Sequence, residues 1–182
     1  MKRKILVGLS AVVLFIAGYI LYEVIVVSKR SPSKTTRYTY KDLEITVVYC
    51  QPSKRGRLIF GEEMDRALQP YGKYWRLGAN APTQITFNKD VIFEGASVKA
   101  GTYRMYAVPG PHAFQVSLNS EIGLSGSSEP DYSKDIVKKD FLVNETQETE
   151  QFIINFSTDA SLVYMDLIWD KVRIRVPIAL PQ

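Results

Sequence analysis

Residues 55–80 hold the densest concentration of groups able to do chemistry: Arg55, Arg57, Tyr71, Lys73, Tyr74, Trp75, Arg76 and Asn80, interrupted by Gly56, Gly61, Gly72 and Gly78. Trp75 or Tyr71 can stack on a flat ligand, and Arg57 or Arg76 can fork a carboxylate or phosphate. Asn80 adds an amide. The same residues also suit architecture, with Trp75 filling a core, an arginine pairing with a buried acid and Asn80 bonding the backbone of its own loop. Arg57, Tyr71, Trp75, Arg76 and Asn80 are therefore the candidate ligand-binding residues.

Catalytic and metal chemistry find less material. The one histidine, His112, lies in the turn PGPHAF, and nucleophilic catalysis needs an activating base beside its nucleophile. Neither Leu124-Ser125-Gly126 nor Gly126-Ser127-Ser128 makes a GxSxG elbow. One His and one Cys do not supply a zinc set. Glu129, Asp131 and Asp135 offer oxygens for calcium, but their spacing misses the EF-hand loop. No catalytic residue, metal ligand or cofactor is assigned. Asp166, inside the apolar stretch LVYMDLIWD, is the most unusual acid by position. An ion pair with an arginine explains it, and so does a raised pKa in a cleft. Asn144-Glu145-Thr146 and Asn155-Phe156-Ser157 match the glycosylation sequon.

The elements that must position these groups read as strands, because apolar residues recur with a period of two. Leu43, Ile45, Val47 and Tyr49 alternate with Glu44, Thr46 and Val48, and Ile85, Phe87, Tyr103, Met105, Phe114, Val116 and Leu118 continue the pattern. Lys41-Asp42 and Glu94-Gly95 are turn candidates, and Asp170-Lys171 should join a last hairpin with Lys171, Arg173 and Arg175 on the outer face of an edge strand. Separate strands are expected at 141–143 and 152–156. Only residues 62–69, EEMDRALQ, suggest a helix, ended by Pro70. Residues 122–139 form the longest loop, with a helical turn near Tyr132. The fold expected is mainly β, a single antiparallel β-sandwich or partly open barrel with one short helix, preceded by an N-terminal transmembrane helix.

That helix is residues 5–27, an apolar run with a single charge, Glu23. At about 1.5 Å per residue it spans a hydrocarbon core of about 30 Å, and it is too long for a cleaved signal. The organisation expected is a membrane anchor with basic flanks over 1–30, a polar linker over 31–37 and a β domain over 38–182. The formal charge of +4 belongs to the anchor, since residues 31–182 hold 18 basic and 18 acidic side chains. A neutral body argues against a nucleic-acid partner. The lipid bilayer is the partner of residues 5–27, and Lys2, Arg3 and Lys4 favour an N-inside orientation with the domain outside the cytoplasm.

YCQPSKRGRLIFG (residues 49–61), PYGKYWRLGANAPTQITF (70–87) and AGTYRMYAVPG (100–110) resemble, in order and spacing, the bacterial domain of unknown function 2911 family, over about residues 40–178. The resemblance implies an exported domain of the kind common in Bacteroidetes, without an assigned activity. Cys50 and Leu77 depart from the Ser and Thr more usual there. The expected function is a membrane-anchored, extracytoplasmic binding or envelope-structural module, with a small molecule, a glycan or a protein of the envelope as partner. The alternative is a cell-envelope hydrolase acting on a glycan or ester through Asp166 or His112.

Overall fold

The structure is a computed structural model that describes residues 12–20, 22, 31–123, 125–159 and 161–181. Within the expected membrane anchor, residues 12–20 and 22 are helical and exposed, Phe15 by 78%. The rest of that run lies outside the described residues, and among the described residues no helix is long and apolar enough to cross a membrane.

The body is mainly β. Its strands are β1 Ser33–Tyr40, β2 Leu43–Cys50, β3 Phe60–Gly61, β4 Gln69–Pro70, β5 Thr83–Phe87, β6 Val91–Phe93, β7 Ala96–Val98, β8 Gly101–Val108, β9 Ala113–Asn119, β10 Asp135–Asp159 and β11 Leu162–Ala179. Nine of them form one antiparallel sheet in the order β1-β2-β5-β8-β9-β10-β11-β6-β7, while β3 and β4 make a small parallel pair. Alternation produces this sheet directly: in β5, Thr83, Ile85 and Phe87 are buried while Gln84 and Thr86 are only partly so.

The sheet folds over because β10 changes partner. Its first residues pair with β9, from Asp135↔Asn119 to Leu142↔Ala113, and its later ones pair with β11, from Val143↔Ile174 to Asp159↔Leu162. One apolar cluster fills the fold, with Ile45, Val47, Ile85 and Met105 from one half and Ile154, Met165, Leu167 and Val176 from the other. The sheet is not closed. β1 approaches the end of β10 through side chains, with the Thr36 hydroxyl donating to the Ile154 carbonyl at 3.4 Å and Tyr38 stacking on Phe156 at 5.3 Å.

β11 also doubles back. Asp166 and Arg175 are nine residues apart, about 30 Å in a straight strand, yet Arg175 Nε and Nη2 donate to Asp166 Oδ1 and Oδ2 at 2.8 Å each. Leu162 shares a shallow groove with Pro177 and Ala179. The turn lies where the sequence places the last hairpin, at Asp170, whose φ is 55°. β10 rounds the tip with Thr149 opposite Asp170, and register shifts on both sides of Thr149 provide the longer outer path.

Five expectations change. Of the loop expected over 122–139, residues 135–139 are strand, paired with β9 from Asp135↔Asn119 to Lys139↔Val116. The residues read as a linker, Ser33 to Arg37, are strand, paired from Ser33↔Cys50 to Arg37↔Thr46. The expected helix at 62–69 is only a 3-10 turn, Glu63–Asp65: Arg66 takes a left-handed conformation (φ 58°), Met64 is 86% exposed, and Gln69 pairs with Phe60. Residues 141–143 and 152–156 belong to one strand. Finally, the basic run is not an edge, because Val172 to Ile174 pair with β10 and Ile178 with β6.

The Asp166–Arg175 pair tests this geometry. Arg175→Met should cost about 1–2 kcal/mol in a denaturant melt, by stranding a mostly buried carboxylate, and the figure is small because the Arg175 side chain is 40% exposed. Asp166→Leu with Arg175→Met should recover most of that loss.

Candidate functional site: an arginine-rimmed pocket over two tryptophans

A pocket of about 410 Å³ opens where the chain between β2 and β3 meets the chain between β4 and β5. Arg57 comes from the first segment, which is stitched to β10 by the Ser53↔Gln151 bridge and by Lys54 N donating to the Glu150 carbonyl at 2.6 Å. Arg55 (φ 51°) and Gly56 (φ 67°) make the turn that presents Arg57. Its Nε donates to the Lys54 carbonyl at 3.0 Å and its Nη2 to the Ser53 carbonyl at 2.6 Å.

Trp75 anchors the second segment. Its backbone exchanges hydrogen bonds with Ala107 of β8 at 2.7 and 2.9 Å. Its ring is 3% exposed and lies nearly parallel to Trp169, with centroids 5.9 Å apart. Phe60, Phe114 and Phe152 meet the same ring edge-on, so Trp75 is a core residue whose rim also lines the pocket. The loop after it is fastened by its own polar groups. Arg76 Nη1 donates to the Asn80 carbonyl at 3.3 Å, Asn80 Nδ2 to the Ser31 carbonyl at 3.4 Å, and the Thr83 hydroxyl to the Leu77 carbonyl at 2.6 Å. Gly78 lies so close to β2 that an added Cβ would stand 2.5 Å from the Cys50 carbonyl oxygen.

Arg57, Trp75, Arg76 and Asn80 thus converge on one pocket, together with Gln69 and Tyr74, whereas Tyr71 does not line it. Tyr71 instead uses its backbone N–H to reach the Gly61 carbonyl at 2.9 Å. Among the described residues neither arginine pairs with an acid, and no Asp or Glu lines the pocket. Nearby acids are spent elsewhere: Asp170 and Glu148 both hold Lys54 at 2.6 Å. What this arrangement can do is bind an oxygen-rich anion over an aromatic floor.

Asp166 and His112 stand apart from the pocket. Asp166 is forked by Arg175, which also lies over the Tyr164 ring at 5.1 Å, and His112 is exposed in the turn between β8 and β9. Among the described residues no group of three or more His, Cys, Asp or Glu could hold a metal ion. Asp131 accepts from the backbone N–H of Ser133 at 3.0 Å and from its hydroxyl at 2.6 Å, and that hydroxyl is the main reason its carboxyl sits below the usual range.

A family model described as a protein of unknown function, DUF2911, matches residues 31–178. The chain belongs to that family. No curated protein and no solved structure matches it. The DUF2911 match begins at Ser31, whose carbonyl anchors Asn80, so both strands of the first hairpin and the whole pocket lie within it.

A second polar cluster in the DUF2911 domain escaped the reading of the sequence. Arg104 and Tyr106 on β8, with Ser117 and Asn119 on β9, share the sheet face opposite Met105 and Val116, and Ser128, Asp131 and Asp135 reach over them. Asp135 accepts from the Tyr106 hydroxyl at 2.7 Å and from Asn119 Nδ2 at 2.8 Å. Burial pushes the Tyr106 phenol up. The available signal was the placing of Arg104 and Tyr106 together on one face of a strand.

Gly78→Ala should destabilise the domain by at least about 2 kcal/mol in a thermal or denaturant melt, since both its φ of 147° and the Cys50 carbonyl oppose a Cβ. Gly95→Ala, in the open turn between β6 and β7, should cost about 1 kcal/mol.

Proposed function

We propose that this domain is a binding module that takes a small anionic molecule by a carboxylate or phosphate group, and that residues 5–27 hold it at the outer face of a membrane. The observation that carries the binding reading is the pairing of Arg57 and Arg76 at a pocket with no acid among its lining residues. Each arginine spends only part of its guanidinium on backbone carbonyls, which fixes its position and leaves N–H groups for a ligand. The rims of Trp75 and Trp169 close the floor of the pocket. Support for the anchor comes from the apolar run itself and from the exposed helical residues 12–20 within it. The hydrolase alternative draws no support from the pocket, because neither Asp166 nor His112 lines it.

Calorimetric titration of the full chain in detergent with inorganic phosphate, succinate and glucuronate tests the binding reading. At least one should bind, and Arg57→Ala and Arg76→Ala should each weaken it roughly tenfold while leaving the melting temperature nearly unchanged. Silence with all three anions, or affinities indifferent to both substitutions, would count against it. For the anchor, the full chain should stay with the membrane pellet after alkaline extraction, and removal of residues 1–30 should release it; a full chain that washes off would sink that part of the reading.

A further inference from the structure

Arg104 presents a hydrogen-bond account that the protein alone does not balance. The residue is 1% exposed, on the face of β8 away from the apolar core. Its Nη2 donates to the Tyr74 hydroxyl and to the Ser128 carbonyl, while Nε and Nη1 are buried without an acceptor. Among the described residues no carboxylate forms an ion pair with it, and the nearest compensation is the face of Tyr74, whose centroid lies 5.5 Å from the guanidinium carbon. A buried guanidinium without a counter-ion carries a large desolvation cost.

What connects Arg104 to the pocket is its Nη2 bond to Tyr74. A guanidinium has donors only, so the Tyr74 oxygen must accept from it and the Tyr74 hydrogen must go elsewhere. No described residue accepts that hydrogen. Tyr74 is half-buried, and it lines the same pocket as Arg57 and Arg76. An anion oxygen in the pocket supplies the missing acceptor, and its negative charge offsets Arg104 across the phenol. A hydroxyl that already accepts from a cation is also a stronger donor.

We infer that Tyr74 donates its hydroxyl hydrogen to the anion bound in this pocket, and that Arg104 is the positioning residue that orients and polarises it. This rests on the anionic-ligand reading above and adds to it a third contact, one held from behind by a residue on the sheet face away from the core.

Calorimetry on the full chain in detergent, with inorganic phosphate and succinate as probes, tests the inference. Tyr74→Phe should weaken the probe that binds by about five- to tenfold, the effect of one hydrogen bond to a charged group, without lowering the melting temperature appreciably. Arg104→Lys, whose ammonium can still donate to the Tyr74 oxygen, should stay within about threefold of wild type. Arg104→Met should weaken binding as Tyr74→Phe does, and the two together should do no more than either alone. Should Arg104→Met fail to fold, Arg104→Lys in the Tyr74→Phe background should bind like Tyr74→Phe itself. Wild-type affinity in Tyr74→Phe, or losses that multiply in the double variant, would overturn the inference and leave the arginine-rimmed pocket standing. A wild-type chain that binds neither probe would remove both.

Discussion

The parallel contact between Trp75 and Trp169 ties the parts of this domain together. Trp169 adjoins the tip where β11 doubles back, and Trp75 sits in an irregular segment that is hydrogen-bonded to the sheet at Ala107 and Thr83. Phe60, Phe114 and Phe152 surround the two rings, so one aromatic cluster joins β3, β9, β10 and β11. Large aromatic surfaces dominate such packing. Because the cluster holds Trp75 still, Arg76 and Asn80, one and five residues later, are held as well.

Around that cluster the charges are sorted. Acids on the wrapped strands are committed to specific partners, Asp166 to Arg175 and Asp170 with Glu148 to Lys54. Asp135 serves Tyr106 and Asn119. The pocket is left with cations whose protein partners are backbone carbonyls, which orient a guanidinium without neutralising it. A domain that is neutral in sum therefore carries a local positive concavity, where field is focused more than on a flat surface. Arg104, buried behind Tyr74, adds to the same sign.

Much of the sheet was legible in the order of residues. Alternation marked β2, β5, β8 and β9, and Glu94-Gly95 and Asp170-Lys171 marked turns, because a period of two and a left-handed φ are properties of short stretches. The helix at 62–69 was misread because Gln69 and Pro70 pair with Phe60 and Gly61, and that tertiary contact leaves room for only one 3-10 turn. The unity of β10 was missed for a related reason: its burial pattern is interrupted where it changes partner and rounds the tip of β11, so it looks like several strands. Four of the five candidate pocket residues converge, since they are close in sequence and on irregular chain. Tyr71 does not line the pocket.

By itself the sequence determined the β character, the apolar N-terminal run, the neutrality of residues 31–182 and the neighbourhood that would hold a site, all of which depend on composition and local periodicity. Only the tertiary structure decided which acids neutralise which bases. It also decided that Arg104 is buried rather than solvated, and that Trp75 serves the core and the pocket at once. Those outcomes depend on contacts between residues tens of positions apart, such as Trp75 with Trp169 and Arg104 with Tyr74, and alternation along a strand says which face a side chain takes but not what will cover that face.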